Sequence, residues 1–155
     1  MSLRRVFYSA LGTSLLAILT MSLGSYVSKV GAGMACPDWP LCPLENDPFI
    51  LLEFGHRIVA FTTFLSGVYT LYLGWRTKLR PLAVYAFAAL LLQVFVVGAV
   101  VIYTAIPPIV VAVHQAVAAS VLALHSSLAT AALIYSTPEK HKNTAEKGVA
   151  YVTDN

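Results

Sequence analysis

Four long apolar runs, separated by short polar segments, organise the chain. They extend from about Val6 to Val27, Phe49 to Trp75, Leu82 to Tyr103 and Ile109 to Tyr135. Each is long enough to cross a hydrocarbon core of about 30 Å as a helix. Breaker residues mark the joins. Arg76-Thr77-Lys78-Leu79-Arg80-Pro81 separates the second run from the third, and Pro81 suits a helix start. Pro107-Pro108 prevents the third and fourth runs from forming one helix. The pattern predicts an all-α membrane protein: a four-transmembrane-helix up-down bundle over residues 1–136, followed by a polar tail at 137–155. A signal peptide would also show Arg4-Arg5 before an apolar run. This run exceeds a typical signal core and no A-x-A site follows it, so a retained helix is expected.

Composition agrees with a membrane home. The 155 residues are 58% hydrophobic and only 11% charged, with a mean hydropathy of +0.75. Soluble domains carry about 25% charged residues, so an ordinary soluble globule and a disordered chain are excluded. The net charge of +3 raises the question of nucleic acid, but ten basic residues spread along an apolar chain make no basic face.

Those charges instead predict orientation. Arg4 and Arg5, then Arg76, Lys78 and Arg80, then Lys140, Lys142 and Lys147 all fall on one side of a four-span chain. Basic loops favour the cytoplasm, so both termini are expected to be cytoplasmic. The loop Gly31 to Pro48 holds Asp38, Glu45 and Asp47 and no Lys or Arg, and is expected on the outer face of the cell membrane. Cys36 and Cys42, the only cysteines, lie in that loop, where an oxidising compartment allows them to pair. The pair reads either as a structural staple or as a redox-active pair near a cofactor. The small ring gains little from chain entropy, which favours a role beyond stapling. Zinc is disfavoured because the loop lacks two further His or Cys ligands.

Ionisable residues inside the runs are costly and therefore functional candidates. Glu53 and His56 share a helix face at i and i+3, with Arg57 one step round. His56 lies about seven residues, or roughly 10 Å, into the second span from the outside. His114 lies about five residues, or roughly 8 Å, into the fourth from the same side. The second and fourth helices of an up-down bundle are diagonal. Two histidines at matched depth on diagonal helices can reach both faces of a flat macrocycle, which predicts bis-His haem ligation by His56 and His114. Arg57 suits a haem propionate. Gly55, Ala60, Ala112 and Ala116 leave room for a ring. The bland alternative, histidines bonded to neighbouring helices, is the better reading for one histidine but not for a matched pair beside Glu and Arg. A di-iron site needs a second Glu-x-x-His motif and more carboxylates than this chain offers. His125 has no partner histidine at its depth and is read as a packing or hydrogen-bonding residue. Gln93 and Tyr103 are candidates to line the bundle.

The string from Gly31 to Cys42, containing Cys36-Pro37-Asp38-Trp39-Pro40-Leu41-Cys42, followed by Glu53-Phe54-Gly55-His56-Arg57, resembles the haem A synthase family. Gln93, Gly98, Pro107-Pro108 and His114 extend the resemblance to about Tyr135. It implies an oxidoreductase that converts the C8 methyl of haem O to a formyl group, giving haem A for terminal oxidases. It further implies that Glu53 is the catalytic carboxylate, that His56 and His114 are the axial ligands of haem iron, that Cys36 and Cys42 form the outer-loop disulfide, and that haem b or haem O is the cofactor. A carboxylate one turn from a ligand can move protons or stabilise a cation at the reacting carbon. Implied partners are haem O, membrane lipid, a haem O synthase and an electron donor. Typical members have eight spans as two fused halves, whereas this chain resembles the cysteine-bearing N-terminal half, which predicts a homo-oligomer. Members often carry Arg shortly after the first span; Ser28-Lys29 stands here, and Lys29 supplies a charge without a bidentate fork.

Two other functions compete. A non-catalytic membrane cytochrome b for electron transfer would not need Glu53 beside a ligand. A thiol-quinone oxidoreductase would usually carry a C-x-x-C pair and a second cysteine pair.

Overall fold

The computed structural model describes residues 2–36, 38, 41–42, 46–104 and 107–137. Four helices are long and apolar enough to cross a membrane: α1 Leu3–Lys29, α2 Pro48–Gly74, α3 Arg80–Tyr103 and α4 Pro108–Ser136. Their limits fall within three residues of the expected runs. The predicted tail from 138 onward lies outside the described residues, as do Pro37, Trp39, Pro40 and Glu45 of the loop and its motif.

Local chemistry sets the helix ends. Asp47 caps α2, its Oδ1 accepting from the Phe49 and Ile50 amides at 2.8 and 3.2 Å, and Pro48 follows in the first turn. After α1, Gly31 takes φ 78°, a left-handed conformation that glycine adopts without a Cβ penalty. A 3-10 turn, Ala32–Met34, then leads into the cysteine loop. The α2–α3 turn is held by the Thr77 hydroxyl, which donates to the Gly74 carbonyl at 2.8 Å and accepts from the Leu79 amide at 3.2 Å. Arg80 lies over the Trp75 ring at 4.0 Å and Lys78 over Tyr135 at 3.6 Å.

α1 packs on both α2 and α4, and α3 packs on the same two helices from the other side. α2 and α4 are therefore diagonal, as an up-down bundle requires. The bundle is dense at the end bearing the α2–α3 turn, where Val6, Ala10, Leu73, Ala83, Leu128 and Ala132 form a buried cluster. Small residues there let backbones approach closely. α1 and α2 are also joined by hydroxyls: Ser9–Thr70 at 2.7 Å, Thr13–Ser66 at 2.8 Å, Thr13–Thr70 at 3.0 Å and Thr20–Thr63 at 2.9 Å. Large apolar side chains such as Phe61, Leu65 and Ile134 point outward, as lipid-facing residues do.

α3 is not uniform. Its middle, Leu92–Val97, is a π turn between α-helical segments. Tyr103, expected to line the bundle, is instead 71% exposed.

Candidate functional site

The bundle opens toward the cysteine loop into a cavity of about 560 Å³, within the range of small-molecule and cofactor sites. Side chains from all four helices line it, including Gly24 of α1, Glu53 and His56 of α2, Gln93 of α3 and His114 of α4. The two histidines thus line one cavity from diagonal helices.

His56 presses its ring against α1. A Cβ built on Gly24 would lie 2.8 Å from His56 Cε1, so the glycine is what makes room for the imidazole. His56 Nδ1 is buried and has no hydrogen-bond partner among the described residues.

His114 is surrounded by the π turn of α3. The Gln93 amide nitrogen lies 3.1 Å from its Nε2 and 3.3 Å from its Nδ1. Gln93 Oε1 is buried without a partner among the described residues. A Cβ on Gly98 would lie 3.2 Å from the Gln93 carbonyl oxygen, so glycine lets this turn close tightly.

Glu53 is buried, 6% exposed, and its Oε1 accepts from Arg57 Nε at 3.0 Å. The rest of the guanidinium points into the cysteine loop. Nη1 donates to the Asp38 carbonyl and, at 3.1 Å, to that of Leu41; Nη2 donates to the Cys36 carbonyl at 2.6 Å. Cys36 and Cys42 are disulfide-bonded, with Cα atoms 5.1 Å apart, and pack with Ile50 at the start of α2. Arg57 therefore ties three carbonyls of the disulfide loop to the Glu53 carboxylate. Four of its five N–H groups are used in this way. The clamp was not legible in sequence, because it depends on where the loop carbonyls point. An i,i+4 Glu–Arg pair was the available signal for its first bond.

Of the small residues expected to leave room, Ala60 lines the cavity, whereas Gly55, Ala112 and Ala116 do not. Gly24 does that work from α1. Ser28 lines the cavity and Lys29 does not. His125 lies away from it, 1% exposed, with Nδ1 donating to the Val121 carbonyl at 2.9 Å. Gly67 makes room for Leu90 of α3, whose Cδ2 would lie 2.3 Å from a Cβ there. Among the described residues no group of three or more His, Cys, Asp or Glu could hold a metal ion.

Comparison with known proteins gives one consistent name. The chain is 32% identical over 114 residues to the haem A synthase of Geobacillus kaustophilus, covering 64% of this chain and 35% of that protein. It is 36% identical over 94 residues to that of Symbiobacterium thermophilum, covering 54% and 30%. It is 35% identical over 71 residues to that of an Exiguobacterium strain, covering 45% and 24%. The chain is thus similar to haem A synthases over 45 to 64% of its length. It spans about a quarter to a third of the length of these curated relatives. No family model matches it, and no solved structure does.

Proposed function

We propose that the chain is a haem-binding membrane unit of haem A biosynthesis, and that it oxidises the C8 methyl of haem O to a formyl group. The observation that carries this reading is the shared cavity of His56 and His114, with buried Glu53 at its rim. Similarity to haem A synthases supports the pathway.

The residues fit a haem. His56 and His114, on opposite sides of the cavity, supply two imidazole donors. The mostly apolar cavity between diagonal helices suits a flat macrocycle. When bound, haem iron supplies the redox chemistry. The protein's part is to hold the ring edge near Glu53, exclude water and manage charge. Arg57 holds the Glu53 carboxylate in one orientation. There Glu53 can accept a proton from, or stabilise positive charge on, the reacting carbon. The remaining Nη2 proton of Arg57 is the group we assign to a propionate. The bundle of residues 1–136 is the functional unit. The disulfide loop faces outward, both termini are cytoplasmic, and copies of the bundle associate so that several units serve the haems that the reaction needs. A haem O synthase and an electron donor complete the reaction.

Glu53 favours this reading over a pure electron-transfer cytochrome, which needs no buried carboxylate beside a ligand. The test is co-expression with a source of haem O, followed by extraction and chromatography of the haems. Haem A is expected with the wild-type chain. It should disappear in Glu53→Ala while bound haem persists. Continued haem A production by Glu53→Ala would remove Glu53 from the chemistry.

A further inference from the structure

Basic residues collect at the end of the bundle opposite the haem cavity. Arg4 and Arg5 begin α1, and Arg76, Lys78 and Arg80 lie in or beside the α2–α3 turn. The acids among the described residues, Asp38, Asp47 and Glu53, all lie in or near the cysteine loop at the other end. The N-terminus of α1 adds the positive end of a helix dipole, with no acidic residue in its first turn. Lys78 and Arg80 have ring partners in Tyr135 and Trp75. Arg5 is exposed and has no ion pair among the described residues.

A groove of about 470 Å³ starts at Arg5 and follows the α1–α2 seam. Arg5, Tyr8 and Gly12 line it from α1, and Ser66, Tyr69 and Leu73 from α2. These positions recur at intervals of three and four, so each set forms one helix face. The hydroxyl pairs Ser9–Thr70 and Thr13–Ser66 fix the antiparallel register. Arg5 is thereby near Leu73 at the basic end, with Arg76 just beyond, and Gly12 is near Ser66 roughly 10 Å further in. The walls are aromatic and face outward. Tyr8, 64% exposed, meets Phe7 edge-on at 5.0 Å, and Tyr69, 54% exposed, stacks on Tyr72 at 6.5 Å. The Ser9 and Ser66 hydroxyls are already bonded across the seam, so an apolar chain can lie against them. A Cβ built on Gly12 would meet no atom within 4 Å. Helix packing therefore does not require this glycine, and its missing side chain leaves the inner end of the groove open.

We propose that this groove holds an anionic phospholipid, its phosphate at Arg5 and one acyl chain laid between Tyr8 and Tyr69 toward Gly12. A guanidinium pairs with phosphate through parallel N–H groups, and basic pockets between transmembrane helices recognise acidic headgroups. Tyrosine rings suit the headgroup boundary, where one edge is apolar and the other wet. A zwitterionic lipid would bring its own cation to an end that already carries five basic residues and, among the described residues, no acid. The groove shares no lining residue with the haem cavity, so the lipid site stands whether or not the haem reading does.

The test is native mass spectrometry of the purified chain, released from micelles holding equal amounts of phosphatidylglycerol and phosphatidylcholine with the same acyl chains. The wild type is expected to retain phosphatidylglycerol about fivefold more than phosphatidylcholine. Arg5→Gln should bring the two lipids to parity. Lys78→Gln makes the same charge change at the same end but outside the groove, and should keep the preference. Gly12→Leu projects a side chain into the groove where a Cβ meets no atom. It should melt at the wild-type temperature and lose bound phosphatidylglycerol. Equal retention of both lipids by the wild type overturns the proposal. An equal fall in Arg5→Gln and Lys78→Gln also overturns it, since that is diffuse charge attraction. So does full retention by a folded Gly12→Leu, which would put the lipid elsewhere.

Discussion

At the scale of single residues, the site depends on atoms that are missing as much as on those present. Gly24 has no Cβ, and His56 occupies the space one would fill, with Cε1 2.8 Å from the Cβ position. Gly24→Ala raises intrinsic helix propensity by about 1 kcal/mol yet must push the imidazole aside. Its expected signature is a thermal midpoint no lower than wild type with haem affinity reduced at least tenfold, read by haem titration beside a melting curve. Equal losses of stability and binding would show that the glycine serves packing alone. Arg57 makes a complementary case. Removing it leaves the buried Glu53 unpaired and three loop carbonyls without their donor. Arg57→Ala is expected to cost about 3 kcal/mol and to speed reduction of the Cys36–Cys42 bond, measured by thiol alkylation under mild reductant. Arg57→Lys should not restore the slow rate, because a point charge cannot reproduce a planar fork. Sequence made His56, His114 and Glu53 legible, because a charge in an apolar run stands out. It hid Gly24 and the aim of Arg57, since both depend on which helix or loop lies opposite.

At the scale of elements, the four helices were readable from apolar runs ended by Pro81 and Pro107-Pro108, and their observed limits differ by three residues at most. The π turn was not readable. Leu92–Val97 is an ordinary apolar helical stretch apart from Gln93, so nothing in its pattern marks the wider turn. The hydroxyl contacts between α1 and α2 were also hidden, because single Ser and Thr residues in apolar runs carry no pairing information. Thr13 bonds both Ser66 and Thr70, and interhelical bonds of this kind contribute about 0.6 kcal/mol on average and up to about 1.7. Thr13→Val should therefore lower resistance to unfolding in mixed micelles by about 1 kcal/mol without altering the haem spectrum. A shifted spectrum would mean that this end of the bundle communicates with the cavity.

At the scale of the whole molecule, the bundle is dense at one end and open at the other. The buried cluster around Leu73 and Leu128 holds the helices together near the basic turn. The cavity occupies the end that carries the disulfide loop. This division lets one end carry stability while the other accepts a large ring. The chain spans about a third or less of the relatives it resembles, and self-association of the bundle is part of the proposed function. Size-exclusion chromatography with light scattering in detergent should give a mass of at least two chains, and a monomer that still makes haem A would remove that requirement. The central claim is that His56 and His114 bind one haem between them. It is tested most directly by the low-temperature EPR and optical spectra of the haem-loaded chain. The wild type should give a low-spin bis-imidazole signal. His56→Ala and His114→Ala should each convert it to a high-spin signal or lose the haem. A bis-imidazole signal that survives in both variants would contradict the account.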